Sequence, residues 1–490
     1  MTLRHFFLAV GGLVLVLAAG VLVRTVQQSY EPSGVNPVER PAFDSAAAVD
    51  RLSRSVQIPT ISHQDSADMD SEAFEGFVDF VAESYPRLHS TLERERVGRN
   101  GYTLLYRWEG RDTTQAPIML MGHYDVVPVE EGTRQEWKHP PFGGVRANGY
   151  VWGRGTLDDK SGTLSAFEAV EYLLSTGYRP EQTIYLAAHH DEEIGGQRGA
   201  AEVAKLLKAR GESLDFLVDE GMPVAEEILQ GIESPLAMIG VAEKGSLTLK
   251  LEVVREGGHA SMPPQQTAIG ELASAVHTLK QNPMPARFGD LLQRTFEPIS
   301  AELPFVYRMG LSNLWLFGPL IKSRLAEVPH TNAAMRTTIA PTMFQAGMKT
   351  NVLPAHAEAF LNFRVHPQDS VEAVVEHVEE TIENPSVEIQ RLDGTREASF
   401  VSDLEAESYQ RFKRSIWETF GEIPVAPSMF VAATDSRHFH DLTRDIYRFR
   451  PIRARPSDRT RIHGTDERIS VDNYLEMIHF QIRLLRNTTS

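Results

Sequence analysis

The chain has 490 residues, 42% hydrophobic and 23% charged, a globular composition long enough for two or three domains. Its formal net charge of −17 argues against nucleic acid as a partner. It contains no cysteine, which excludes disulfides, a thiol nucleophile and thiolate-held zinc, so a metal site would have to be built from His, Asp and Glu.

Residues 6–23, FFLAVGGLVLVLAAGVLV, form an uncharged apolar run between Arg4 and Arg24. The run is just long enough to span a bilayer. Residues 1–25 therefore read as a signal anchor, with a cleaved signal peptide as the alternative. The run is long for a signal core, and no small-x-small site follows it. The body of the chain is expected outside the membrane, periplasmic or extracellular, and secreted if the segment is cleaved. Residues 26–45, polar and holding several prolines, read as a linker.

After the linker, EAFEGFVDFVAESY has the apolar spacing of a helix. An α/β pattern follows. APIMLMGHYDVVP is a buried strand ending near His123, and SGTLSAFEAVEYLLSTG a helix with a small, apolar face. The next strand, 183–188, runs into AAHHDEEIGG at 187–196. AEVAKLLKARG is a helix ending at Gly211, and LDFLVDEG a strand ending at Asp219 and Glu220. Polar residues thus sit just past the C-terminal ends of three successive strands, where open α/β sheets place their sites.

From about 243 the texture changes. SLTLKLEVVREG alternates as a half-exposed strand does, TAIGELASAVHTLKQNP is helical, AEAFLNFRVHP is a strand and VEAVVEHVEETIEN a helix. Residues 243–395 read as a smaller α+β domain inserted in a larger one, 46–242 and 396–490. Within it, 283–345 is expected to be irregular and proline-rich, its apolar run being core, a dimer contact, an acyl-chain groove or a membrane surface. A long helix, EAESYQRFKRSIWETFG, begins the return to the larger domain. The run 444–461 carries seven arginines, broken by prolines and acids, and reads as a solvated surface or internal ion pairing rather than an anion-binding surface.

His123 and Asp125 are two apart at a strand end, so they point the same way, and the carboxylate can hold the imidazole. Asp158 and Asp159 precede a helix whose N-terminal amides favour negative charge; Asp159 alone reads as an N-cap, while Asp158 wants a further partner. Asp191, Glu192 and Glu193 stand side by side. Two unit charges 4 Å apart repel by about 4 kcal/mol at an effective dielectric of about 20. A metal would supply the counter-charge, and adjacent glutamates can divide the labour, one as ligand and one as general base. From these residues alone, a metal site and an ordinary acidic turn both stand.

The motifs GHYDVVP, GRGTLDDKSG, DEEIGG, VDEG, GGHASMPP, TNVLPAHAEAFLNFRVHP, TDSRHF and IHGTDERIS, in this order over about 46–486, resemble a family of dizinc metallopeptidases. That family includes aminoacylase-1, carboxypeptidase S and glutamate carboxypeptidase. The chain is most similar to its branch of carboxypeptidase S and N-fatty-acyl-amino acid synthase/hydrolase.

The resemblance implies two zinc ions per subunit. His123, Asp158 and Glu220 would hold one, and Asp158, Glu193 and His463 the other, with Asp158 bridging. Asp125 would orient His123, Glu192 would be the general base and His259 would stabilise the oxyanion, often from a partner subunit in a homodimer. Asn351, Arg364 and Arg437 fit positions near the substrate carboxylate or the lid. His189 and His190 receive no ligand role, and Asp219 no assigned one.

The implied activity is hydrolysis of an amide bond next to a free carboxylate, in short peptides (dipeptidase or carboxypeptidase). N-fatty-acyl amino acids are the alternative substrates. A membrane-tethered binding module with structural metals is a further alternative, which an unligated base at Glu192 disfavours.

Overall fold

The computed structural model describes residues 3–27, 33–227, 234–300 and 302–488. Its largest element is an eight-stranded mixed sheet. Four neighbouring strands run parallel at its centre, in the order Ile184–His189, Ile118–His123, Leu217–Ala225 and Ile446–Ala454. Thr103–Trp108 and Glu93–Val97 extend one side antiparallel; Leu236–Glu243 and Val425–Phe430 complete the other.

The central strands are buried on both faces, which explains their continuous apolar sequence. Leu120 and Leu186 point into a core closed by the helices Lys160–Ser175, Glu407–Phe420 and Val471–Thr488. Met119, Met121, Tyr185 and Ala187 point the opposite way, onto Ala200–Ala209 and the segment around Phe439. This two-residue alternation is what a pleated strand imposes.

A second, four-stranded antiparallel sheet has the order Thr338–Ala346, His356–Val365, Gly245–Val254, Val387–Arg391. Leu247, Leu249, Leu251 and Val253 alternate onto a separate core with Ala268–Gln281 and Val371–Ile382, while the intervening residues are half-buried. Both helices begin at capped positions: Thr267 Oγ1 accepts from the Gly270 N–H, and Ser370 Oγ from the Ala373 N–H.

Two expectations change. Residues 283–345 are not irregular: Asp290–Ser300, Phe305–Ser312, Leu314–Glu327 and Pro329–Met335 are helices, and Pro298 and Pro319 lie inside two of them. A proline removes one backbone N–H donor from a helix but does not end it at these two positions. The Asp159 carboxylate makes no capping bond to the helix it precedes; Arg450 draws it away, at 3.4 Å. The N-terminal helix Leu3–Gln27 is long and apolar enough to cross a membrane, with a mean hydropathy of 1.9 over Val10–Gln27 and most of that window exposed.

Candidate metal centre

Five separate pieces of chain deliver polar side chains to the C-terminal ends of the central strands. His123 is the last residue of its strand, Glu220 lies within Leu217–Ala225, Glu193 sits on the turn after Ile184–His189, and Asp158 precedes Lys160–Ser175. His463 comes from a loop near the C-terminus.

His123 Nε2 is 3.2 Å from Asp158 Oδ1 and 3.5 Å from Glu220 Oε1. His463 Nε2 is 3.1 Å from Asp158 Oδ2 and 3.2 Å from Glu193 Oε2. Asp158 thus turns one oxygen to each of two groups, and in each the three donor atoms lie within 4.8 Å of one another. The donor set, one imidazole and two carboxylates per group, fits zinc or a similar divalent ion. The second oxygen of Glu193 is buried without a hydrogen-bond partner, as a ligand atom would be.

The turn is held from below. Asp125 accepts from the backbone N–H of Glu192 and of Glu193, both at 3.3 Å, and from Ser62 Oγ at 2.6 Å. Its own backbone carbonyl faces Nδ1 of His123 at 3.0 Å, and its carboxylate lies 3.5 Å from the same nitrogen. One residue therefore fixes the imidazole and the acidic turn together. Asp191, at φ 77°, is bound by Arg198, whose backbone N–H and Nε donate to it at 3.1 and 2.8 Å. Gly196, at φ 67°, has no room for a side chain: a Cβ there would lie 2.1 Å from the Asp435 carboxylate. His189 and His190 are buried, burial holds the His189 pKa down to about 4, and among the described residues neither belongs to a donor group.

Sequence reasoning missed two supports, Glu467 and Arg450, and left a third, Asp219, without a role. Glu467 accepts from the N–H groups of Gly155, Leu157 and Asp158 at 2.9, 2.8 and 3.3 Å, and from Arg154 at 2.6 Å. Arg154 also donates to the His463 carbonyl at 3.1 Å. The loops carrying Asp158 and His463 are thereby tied to each other, and His463 holds a left-handed φ of 60°. Asp219 accepts from the N–H of Ser436 and of Glu220, both at 2.9 Å; burial, then Glu220 and Asp435, push its carboxyl up to about 7. Arg450 lies buried against Asp158 at 2.9 Å, Asp159 at 3.4 Å and Glu220. Only the membership of Glu467 in IHGTDERIS and of Arg450 in the Arg-rich run hinted at them.

The electrostatics follow the geometry. Burial opposes charge on His123, but Glu220, Asp125 and Asp158 outweigh it and lift its pKa well above the ordinary value. Hydrogen bonds to Asp158 and Glu193 raise His463 to about 10. Burial would raise Asp158, yet Arg450 and the two imidazoles hold it well below the carboxylate range. Burial lifts Glu192 well above that range; His123 opposes this, and Glu220, Asp435 and Glu193 reinforce it. Glu192 belongs to neither donor group.

The remaining predicted residues fall in two other places. Arg437 donates to Asp435 at 2.9 Å and to the Thr434 carbonyl at 3.0 Å, beside the Gly195–Gly196 turn. Arg364, Arg437, Arg448 and Arg396 share a basic cluster, each of the first three pushing the Arg396 pKa down in addition to its burial. Its acid is Glu243, which accepts from Arg448 at 3.0 Å and Arg396 at 3.2 Å. Both terminal nitrogens of the buried Arg448 have no hydrogen-bond partner. His259 and Asn351 lie elsewhere, on an exposed corner where the Ala260 N–H donates to the Asn351 carbonyl at 3.1 Å and His259 Nδ1 meets Ser261 Oγ at 2.7 Å.

Residues 119–487 match a family model described as peptidase family M20/M25/M40. The N-fatty-acyl-amino acid synthase/hydrolase PM20D1.1 of Danio rerio is 42% identical over 90% of this chain and 85% of its own. The probable carboxypeptidase S-like 2 of Dictyostelium discoideum is 38% identical over 89% and 84%. Among solved structures, the M20 family metallo-carboxypeptidase Sso-CP2 from Sulfolobus solfataricus superposes with a TM-score of 0.64 at 19% identity, covering 90% of this chain and 98% of that one. This last likeness concerns the fold.

Proposed function

The chain belongs to peptidase family M20/M25/M40 and is a hydrolase of carbon–nitrogen bonds; from that premise we propose that it cleaves an amide next to a free carboxylate, with two zinc ions per subunit. The observation that carries this is the shared Asp158, one oxygen in each donor group, with Glu192 on the same turn as Glu193 but outside both groups. His123, Asp158 and Glu220 would hold one ion; Asp158, Glu193 and His463 would hold the other. Bound there, divalent ions supply Lewis-acid polarisation of the carbonyl and a more acidic water.

The chain's own residues do the rest. Asp125 orients His123 and the turn. Glu192, with its raised proton affinity, takes the proton of the attacking water and returns it to the leaving amine. Arg364, Arg437 and the unsatisfied Arg448 offer donors to the substrate carboxylate, a group that guanidinium binds in a fork. Asn351 contributes to substrate positioning beside His259. The exposure of His259, on a corner of its own, supports a role as oxyanion donor to a partner subunit's site. The homodimer this requires is supported by Thr338–Ala346, an exposed strand on the edge of the smaller sheet.

The larger sheet, from 46–242 and 396–490, is the catalytic domain; 243–395 is the inserted lid and dimerisation domain. Leu3–Gln27 anchors the chain in a membrane with the catalytic domain outside. Short peptides are the substrates we put forward. N-fatty-acyl amino acids are the second reading, favoured by the name of the 42% identical relative. Turnover of dipeptides and of long-chain N-acyl amino acids by the zinc-loaded full chain separates them. Free amino acid released from dipeptides supports the first; turnover of acyl substrates alone supports the second; silence on both sinks the hydrolase mechanism.

Metal binding has its own signature. In the metal-free protein both imidazoles keep their protons at neutral pH, since their pKa values are raised, to about 10 for His463. Zinc must displace them, so uptake at pH 7 should release protons, and affinity should fall as pH is lowered. Calorimetric zinc titration in buffers of different ionisation enthalpy measures this. Heats independent of the buffer would mean that the two imidazoles are already neutral in the metal-free protein at pH 7.

A further inference from the structure

The helices Phe305–Ser312 and Leu314–Glu327 contain no fully buried residue, although most of their side chains are apolar. On the second helix the exposed positions 315, 316, 319 and 320 lie on one face. They are Trp315, Leu316, Pro319 and Leu320, and Trp315 and Leu320 are 55% and 60% exposed. Val306 and Tyr307, at the start of the first helix, are 69% and 64% exposed. A soluble body seldom leaves so many large apolar groups of neighbouring helices in water.

What lies beside them is the N-terminal helix. Asn313, buried at the joint of the two helices, donates from Nδ2 to Thr25 Oγ1 at 3.1 Å and to the Val21 carbonyl at 3.3 Å. Val21 and Thr25 are buried at that contact, while Leu13, Val14, Leu15 and Val16 are exposed. The apolar run therefore leaves the protein at the level of Asn313, and Arg24 marks the end of its uncharged part. If that helix crosses a bilayer, the membrane surface falls where Tyr307 and Trp315 are presented. Tyr and Trp are the residues that favour the headgroup level.

We propose that Phe305–Ser312 and Leu314–Glu327 form a docking platform that lies in the lipid headgroup layer beside the N-terminal anchor. The occupant of the apolar patch is the bilayer itself, continuous with the lipid around residues 5–20. The platform holds the hydrolase body against the surface at a second point, so the anchor does not act as a loose tether. This rests on the anchor reading given above.

The absence of cysteine makes the test direct. Single substitutions Val306→Cys, Leu316→Cys, Leu15→Cys and, as an exposed control, Asp393→Cys are labelled with an environment-sensitive nitrobenzoxadiazole dye in the full chain. The chain is reconstituted in phosphatidylcholine vesicles. Dyes at 306 and 316 should lose fluorescence to shallow doxyl-lipids and resist aqueous iodide, the dye at 15 should respond to deep doxyl-lipids, and the dye at 393 should respond to iodide. If 15 is in lipid while iodide reaches 306 and 316, the platform is overturned and the anchor stands. Loss of the lipid signal at all three sinks both. Dyes at 306 and 316 shielded from both quenchers, in vesicles and in detergent alike, would place a second copy of the chain on the patch and overturn the proposal.

Discussion

Replacing Glu192 with Gln is expected to lower kcat about 100- to 10,000-fold, the usual worth of a positioned general base, while the protein still binds two metal ions. The substitution keeps the shape of the side chain and removes its proton affinity. The turn is held by the backbone N–H of Glu192 and Glu193 on Asp125, and by Arg198 on Asp191; none of these bonds uses the Glu192 carboxylate. Both donor groups are complete without it. Glu193→Gln makes the contrast: it removes a carboxylate from the group of Asp158 and His463, so metal content should fall along with activity. Metal analysis and turnover on the same preparations distinguish a base from a ligand. Near-normal kcat in Glu192→Gln would mean that another group takes the proton.

What could be read from the chain, and what could not, divides along a physical line. His123, Glu193 and Glu220 could be placed past the ends of strands, where sites gather, and Asp158 ahead of a helix, but their roles as ligands came only from the motifs that resemble the family. His463 was legible only through its motif, since nothing local marks an exposed loop histidine. Strand order is set by tertiary packing, not by periodicity. That Ile446–Ala454 lies beside Leu217–Ala225 follows from nothing in either segment, so Arg450 could be read only as part of an arginine-rich run. Of the two readings of that run, internal ion pairing holds for Arg448 on Glu243 and for Arg450 on Asp158. The helix Leu314–Glu327 is hidden for another reason: its exposed apolar face blurs the polar–apolar contrast on which periodicity depends.

Arg450→Gln should destabilise the metal-free protein far more than the loaded one. Three carboxylates, Asp158, Asp159 and Glu220, converge on the buried guanidinium. Burial alone would weaken the Arg450 charge, but these neighbours keep it firmly cationic. Removing one partner of a buried ion pair costs about 3–5 kcal/mol, because the charges left behind lose their compensation. In the loaded protein a divalent ion beside Asp158 and Glu220 supplies that compensation, so the loss there should be smaller. The same charge opposes the metal. At about 4 Å and an effective dielectric of about 20, each unit of like charge costs about 4 kcal/mol, so its removal should tighten binding at the His123 group. The rise in Tm on adding zinc should therefore be larger in Arg450→Gln than in the parent, and Arg450→Lys, which restores the charge, should bring it back toward the parent value. Thermal unfolding of stripped and loaded samples, with competition against a chelator, measures both effects. An equal loss in the two states would mean that Arg450 only fills space; weaker metal binding would mean that its hold on Glu220 matters more than its charge.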